Sequence, residues 1–284
     1  MDRKIGIVGV GIMGHGIATN FLKHGYTLFV WNRTAYAADD LVKLGATFCA
    51  TPADVARSAD ITFEVTANDE SSRAVWTGKD GILAGADTKK IFIASATLSI
   101  SWVDALIAMC AASGLTFLDV TLTGGRIGAE SGTLTLLCGG PDAVIENLAP
   151  VFGAIAKNVH SFGPVGSGAR YKLILNFMQA LHIVGFGQAM KIAKARNMDL
   201  KKVSDALVEK PGGSITAIAQ RTYFTDPDPI TFSIEWIVKD LTYARKFASG
   251  LNITLLDEVL KVYEQAKEKG FAGKDWARIS QLLE

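Results

Sequence analysis

The sequence predicts an α/β protein, with a doubly wound, mostly parallel sheet in its first half and an all-helical domain in its second. Three observations lead there. Between Lys4 and about Gly163, short apolar or β-branched runs alternate with segments whose apolar spacing is nearer 3.6 than 2. Three spaced glycines directly follow the first of those strands. After "GPVGSG", residues 163–168, strand-like runs stop and only helical spacing continues. At 284 residues the chain accommodates two domains of roughly 150 residues, and 49% hydrophobic residues is enough to fill a core in each. The expected boundaries are 1–164 for the sheet domain and 165–284 for the helical one.

Taken in order, the predicted strands are KIGIVG from Lys4, YTLFVW from Tyr26, a short ATFC from Ala46, DITFEVT from Asp60, KIFIAS from Lys90, LTFLDVT from Leu115, GTLTLLCGG from Gly132 and KNVHSFG from Lys157. Each concentrates Val, Ile, Leu, Thr or Phe. Between them, Met13 to His24, Ala35 to Leu44, Ser101 to Ala112 and Asp142 to Phe152 carry helical spacing. Beyond the boundary, helices are expected over 169–196, 200–209, 214–221, 235–249, 253–268 and 275–283.

Gly9, Gly11 and Gly14 form G-x-G-x-x-G between the first strand and the first helix. In that setting the first glycine permits a tight turn, the second lets backbone approach a pyrophosphate, and the third lets helix pack closely on strand. The helix N-terminus, with Ile12 and Met13 in its opening turn, then faces the phosphates. The first domain is therefore expected to be a Rossmann-type dinucleotide-binding domain. Its second strand ends in "FVWNRT", about 20 residues past the glycines, where an NAD-selective site would place a carboxylate for the ribose 2′-hydroxyl. Asn32, Arg33 and Thr34 supply no carboxylate. A guanidinium fork flanked by two hydrogen-bonding side chains suits a 2′-phosphate, so NADP(H) is expected over NAD(H).

Charge and composition narrow the function classes. Lys+Arg of 29 against Asp+Glu of 28 leaves +1, with no basic block beyond pairs such as Lys89-Lys90 and Lys201-Lys202, so no nucleic-acid footprint is expected. Cys49, Cys110 and Cys138 are odd in number, widely spaced and set among apolar residues, which reads as buried free thiols in a reducing compartment. The opening "MDRKIGIVGVG" reads as a strand rather than a signal peptide. The most membrane-like run, Leu173 to Met190, contains Asn176, Gln179, His182 and Gln188 and reads as a buried helix. A cytoplasmic protein with no membrane contact is expected. His15, His24, His160 and His182 are scattered without ligand spacing, so no metal is implied.

In "GSGARYKLILN", residues 166–176, Lys172 and Asn176 stand four apart in a run otherwise built for a core. On a helix they share one face, so both can address one oxygen. The competing reading of a lone lysine in such a run is an interfacial snorkeler.

Four segments in this order carry a resemblance: "GIVGVGIMGHGIATNFLKHGY" at the glycine loop, "DVTLTGGRIGAESGTLTLLCGG" at 119–140, "GPVGSGARYKLILN" at 163–176 and "FSIEWIVKDL" at 232–241. Over essentially its whole length the chain resembles the β-hydroxyacid dehydrogenase family, which includes 3-hydroxyisobutyrate dehydrogenase, tartronate semialdehyde reductase and the glyoxylate/succinic semialdehyde reductases. The resemblance implies NADPH-dependent reduction of a short semialdehyde or 2-keto acid to a hydroxyacid, reversibly, in a cleft between the domains of a homodimer or homotetramer. It makes Lys172 the general acid in reduction and the base in oxidation, with Asn176 beside it. Thr123, Gly124 and Gly125 fall where the family has Ser-Gly-Gly, a cradle for the carboxylate of a small anionic aldehyde or hydroxyacid. Lys239 matches a lysine contacting cofactor or substrate, and Asp240 a local organiser. Phe232 and Trp236, seven and three residues before Lys239, read either as pocket walls or as core.

The departures bear on specificity. The family's Asp-Ala-Pro-Val-Ser becomes Asp119-Val120-Thr121-Leu122-Thr123, Met-Leu-Pro after the fourth strand becomes Val65-Thr66-Ala67, and Ser-Thr after the fifth becomes Ala96-Thr97. Thr66, Ala67 and Thr97 are expected at the cofactor mouth in two loops, the one at Ala67 made more mobile by loss of a rigid turn. Arg126 has no family counterpart and reads either as a contact to a second anionic group or as a solvated loop arginine. Two alternatives stand beside the main reading. One is a reductase of an imine or sulfonated aldehyde, against which retention of Lys172 argues. The other is a non-catalytic NADP-binding interaction protein, disfavoured by Lys172, Asn176 and Lys239 together.

Overall fold

The structure, a computed structural model, describes residues 3–209 and 213–282. It divides into two compact units, Met1–Lys172 and Leu173–Glu284. All eight expected strands form, as β1 (Lys4–Val8), β2 (Thr27–Trp31), β3 (Thr47–Phe48), β4 (Ile61–Glu64), β5 (Ile91–Ala94), β6 (Thr116–Thr123), β7 (Leu134–Gly139) and β8 (Ala156–Ser161). They make one sheet in the order β3-β2-β1-β4-β5-β6-β7-β8. Every neighbouring pair is parallel except β6 and β7. The order reverses between β1 and β4, and in such sheets ligands bind outside the carboxyl ends of the strands at that switch point.

Helices cover both faces, as the alternation requires. They are α1 (Ile12–Lys23), α2 (Asp39–Lys43), α3 (Pro52–Ser58), α4 (Asp69–Thr77), α5 (Ile100–Ala112), α6 (Gly125–Ser131), α7 (Asp142–Asn147) and α8 (Ala149–Phe152). On one face Ile5, Ile7, Phe63 and Leu118 of the sheet pack with Phe21 of α1, Ala129 of α6 and Phe152 of α8. On the other, Val8, Phe92 and Ala94 meet Val55 of α3, Trp76 of α4 and Trp102 and Leu106 of α5. Trp76 meets Phe92 and Phe117 edge-on and is wholly buried, so truncating it to alanine would cost about 3–5 kcal/mol. The three cysteines are free and buried in these cores. Strand β8 closes the sheet with Lys157, Asn158 and His160 exposed, polar residues that discourage edge pairing.

Helix α9 (Ser167–Ala195) begins in the first unit and continues into the second. At 1.5 Å per residue it is about 44 Å long. Among the described residues it alone is long and apolar enough to cross a membrane by length and composition, with 44% of its apolar window buried inside the structure. The second unit continues with α10 (Leu200–Leu207), α11 (Gly213–Phe224), α12 (Ile234–Phe247), α13 (Thr254–Ala266) and α14 (Ile279–Leu282), and it has no strand among its described residues. Residue 283, the last of the expected final helix, lies outside the described residues. The core of this unit includes Ile237 and Leu241 of α12 with Val259 and Tyr263 of α13, apolar positions repeating every four residues.

Candidate active site

The glycine loop has the geometry its spacing predicts. Gly9 lies at φ +103, and a Cβ there would come within 2.5 Å of the Val65 carbonyl oxygen. A Cβ on Gly14 would stand 2.0 Å from the Gly9 carbonyl oxygen, so turn and helix close on each other only without side chains. Gly11, the N-cap of α1, has nothing within 4 Å of its would-be Cβ and no side-chain cap. The first turn of a 12-residue helix, with Ile12 and Met13, is thus open to an anionic ligand, and the fit to a dinucleotide pyrophosphate is good.

At the end of β2, Asn32 braces the loop. Its Oδ1 accepts from the Val10 N–H at 3.1 Å and its Nδ2 donates to the Thr34 carbonyl at 3.0 Å. Arg33 and Thr34 beyond it are exposed. Asn32 therefore shapes the rim, while the two exposed side chains offer the hydrogen-bonding groups.

The loop after β4 is tied by side-chain hydrogen bonds. Thr66 donates its N–H at 3.1 Å and its hydroxyl to Oε1 of Glu64. Asn68 and Ser71 form a capping box at the start of α4. Asp69 accepts from the Ser99 N–H at 2.9 Å and from its hydroxyl at 2.5 Å, which ties this loop to the one holding Ala96 and Thr97. Ala67 is exposed, and Thr66 and Thr97 are half-buried. Glu64, absent from the expected site, is fully buried, and desolvation pushes its carboxyl up to about 6 while hydrogen bonds from Thr66, Trp76 and Ser72 pull it back. Its signal in the sequence is an acid within the apolar run "ITFEV".

At the carboxyl end of β6, Thr123 is half-buried, and Gly124 and Gly125 take φ +123 and +59, positions that admit glycine at low strain. The turn leaves the Thr123 hydroxyl and backbone N–H groups at the mouth of the sheet. Arg126 follows in α6. Its side chain is 29% exposed and its Nη1 stands 3.6 Å from Glu130, but its Nε is buried without a partner. Arg126 is thus partly buried rather than fully solvated, on a helix that packs on α1 with Ala129 against Gly16.

Asp119 in β6 sets the start of α9. Its carboxylate, 1% exposed, accepts the Gly166 N–H at 2.5 Å and the Ala169 N–H at 2.6 Å. Desolvation raises its pKa and those two backbone hydrogen bonds oppose the rise. The Thr121 hydroxyl adds a bond to the Gly168 carbonyl at 3.3 Å. Fixing this first turn fixes where Lys172, half-buried in the second turn, projects.

In the second unit Asn176, Lys239 and Asp240 come together. Asn176 is buried on α9, and its Nδ2 donates to Oδ2 of Asp240 at 2.5 Å. Oδ1 of the same carboxylate, itself 1% exposed, pairs with Lys239 Nζ at 2.9 Å, and Lys239 also lies 5.5 Å over the Tyr243 ring. Asp240 thus engages both Asn176 and Lys239. Phe232 and Trp236 pack at 5.7 Å, and Phe232 meets Trp276 at 6.0 Å, an aromatic cluster that favours the core reading. Among the described residues no group of three His, Cys, Asp or Glu could hold a metal ion.

Comparison with known proteins agrees with this geometry. Residues 4–163 match the family described as the NAD binding domain of 6-phosphogluconate dehydrogenase, and residues 166–283 the one described as NAD-binding of NADP-dependent 3-hydroxyisobutyrate dehydrogenase. The cytokine-like nuclear factor N-PAC of Xenopus tropicalis is 30% identical over 98% of this chain. The chain spans about half, 53%, of that relative's length. The NAD-dependent L-serine dehydrogenase of Pseudomonas aeruginosa is 27% identical over 99% of this chain and 98% of its own. A Mycobacterium tuberculosis 3-hydroxyisobutyrate dehydrogenase structure with L-serine shares the fold, with a TM-score of 0.89 at 21% identity over 100% of this chain and 99% of that one. With both halves matched in sequence order and the glycine loop built as its spacing requires, the chain belongs to the β-hydroxyacid dehydrogenase family.

Proposed function

We propose that the protein is an NADPH-dependent reductase of a short semialdehyde or 2-keto acid, reversible as a hydroxyacid dehydrogenase. The observation that carries this reading is Lys172 and Asn176 one helical turn apart on α9, with the Asn176 amide held by Asp240. A bound dihydronicotinamide supplies a hydride to the carbonyl carbon. Lys172 donates a hydrogen bond to the carbonyl oxygen, stabilises the alkoxide as charge develops there, and transfers a proton to that oxygen. In oxidation the neutral amine takes the proton back. Because Asp240 accepts one Asn176 amide hydrogen, the plane of that amide is set before substrate arrives. The Thr123 hydroxyl and the N–H groups of Gly124 and Gly125 hold the substrate carboxylate, and Lys239, its charge balanced by Asp240, adds a donor for cofactor or substrate.

The choice of NADP(H) is supported by Arg33 and Thr34, exposed past β2, and by the absence of an acid among Asn32, Arg33 and Thr34. A homodimer or homotetramer is supported by Ile174, Met178 and Ile192, exposed at helical spacing along α9. The test is NADPH oxidation by wild type and Lys172→Ala against glyoxylate and tartronate, succinate and methylmalonate semialdehydes, with NADH in parallel. Turnover faster with NADPH, falling roughly 10²–10⁴-fold in the variant while NADPH affinity holds, is expected. Tight NADPH binding without turnover on any member would favour another electrophile, an imine or sulfonated aldehyde, or a non-catalytic NADP-binding interaction protein.

A further inference from the structure

Glu64 closes β4 at the carboxyl edge of the sheet and exposes no surface. Ile61 and Phe63 of the same strand belong to the opposite core, so alternation turns Glu64 toward α4 and α5. The polar groups that face its carboxyl, from Thr66, Ser72 and Trp76, can all donate to it. Thr66 gives its N–H and hydroxyl to Oε1. The buried Ser72 hydroxyl already accepts from Trp102 Nε1 at 2.9 Å, which leaves its own proton to give, and the Trp76 indole faces the same carboxyl. Oε2 and Trp76 Nε1 are both buried and stop short of a well-formed hydrogen bond. These donors offset part of the cost of burying the carboxylate without cancelling it. No charge compensates it: on α4, Asp69 takes Ser99, Arg73 lies 4.0 Å over the Trp102 ring and Glu70 is exposed, while on α5 Asp104 pairs with Arg170 at 2.8 Å.

The peptide between Val65 and the gripped Thr66 walls the glycine turn. The Val65 carbonyl leaves no room for a Cβ on Gly9, so any shift of residues 65–66 moves the floor on which a dinucleotide would rest. We propose that Glu64 is a positioning residue for the cofactor: its buried carboxylate holds Thr66 through two hydrogen bonds and thereby sets the loop against Gly9. This latch stands where the family pattern has a rigid Met-Leu-Pro turn. Ionised, Glu64 holds Thr66 through charge-assisted hydrogen bonds; protonated on the unpartnered Oε2, its Oε1 accepts as a neutral carbonyl and the grip weakens.

The inference rests on the nucleotide-binding reading above, and binding alone tests it. NADPH and NADH affinities are measured by nucleotide fluorescence for wild type, Glu64→Gln, Thr66→Val and the double variant between pH 5 and 8, with melting curves to establish folding. Wild-type affinity should weaken as pH falls below about 6, the value to which burial raises the Glu64 carboxyl. Glu64→Gln and Thr66→Val should each weaken binding about three- to tenfold at pH 7.5, flatten the pH profile, and combine without adding, because both cut one latch. A folded Glu64→Gln protein that binds like wild type with the same pH profile would overturn the proposal. So would additive losses in the double variant. Wild type that binds neither nucleotide would overturn the nucleotide-binding reading itself, and this inference with it.

Discussion

Glu64 is held where an acid costs stability. Burial raises its pKa from 4.5 to about 6, so between those values the folded protein binds a proton that the unfolded chain has released. The contribution of this group is fully present below pH 4.5 and is lost as pH rises through about 6. Desolvation of this carboxylate thus works against folding by about 2 kcal/mol at neutral pH. Glu64→Gln should therefore melt above wild type at pH 7.5, with the gap between the two narrowing by about 2 kcal/mol by pH 4.5, as denaturant titrations at both pH values would show. A gap independent of pH would mean that Glu64 does not titrate with a raised pKa. Read from sequence, an acid within the apolar run "ITFEV" signals the residue but not what buries it; Trp76 and Trp102 in the core on that face come from helices further along. Lys172 and Asn176 were legible for the opposite reason, since four-residue spacing on a long helix fixes a shared face whatever packs around it.

At the scale of elements, the start of α9 depends on a strand 47 residues away in sequence. Asp119 accepts two N–H groups that the first turn of a helix would otherwise leave unsatisfied, and its negative charge lies at the positive end of a 29-residue helix. Asp119→Ala removes both bonds inside a buried site and should cost about 3 kcal/mol, measurable by urea unfolding. Amide exchange across Gly166–Lys172 should accelerate selectively, and turnover should fall because Lys172 is one turn further on. Asp119→Asn, which keeps one acceptor, should recover part of both. Equal exchange in wild type and Asp119→Ala would show that the helix start is held by other contacts. Sequence periodicity could find α9, while the strands show as β-branched and apolar runs even where, as in the two-residue β3, no period fits. It could not find α3, α4 and α6, of seven, nine and seven residues, which are specified by ends instead. Thr51 with Pro52 starts α3, the Asn68–Ser71 capping box starts α4, and Gly124 with Gly125 turns into α6. Likewise the latch on Thr66 and the brace from Asn32 are tertiary hydrogen bonds with no local spacing to betray them.

For the whole molecule the discriminating quantity is charge. A relative 30% identical to this chain, of which the chain spans 53%, is a nuclear factor, so nucleic-acid binding is the contrast that charge can test. Nucleic-acid binding without sequence preference draws nearly all its free energy from Lys and Arg that displace counterions. Here 29 basic residues are offset by 28 acidic ones. Many are committed in pairs along the surface, such as Lys201 with Asp205, Arg57 with Asp54 and Lys274 with Asp226. The summed field is therefore weak, and duplex DNA should bind no tighter than about 10⁻⁴ M at physiological salt, the weak end of non-specific binding. Fluorescence anisotropy of a labelled duplex from 50 to 200 mM salt measures this directly. Micromolar binding that falls steeply with salt would reveal a basic face and move weight from carbonyl reduction toward the interaction module. Weak, salt-insensitive binding alongside tight NADPH binding is what a reductase of small anionic substrates requires, because its cations are local, at Arg33, Lys172 and Lys239, rather than spread over a surface.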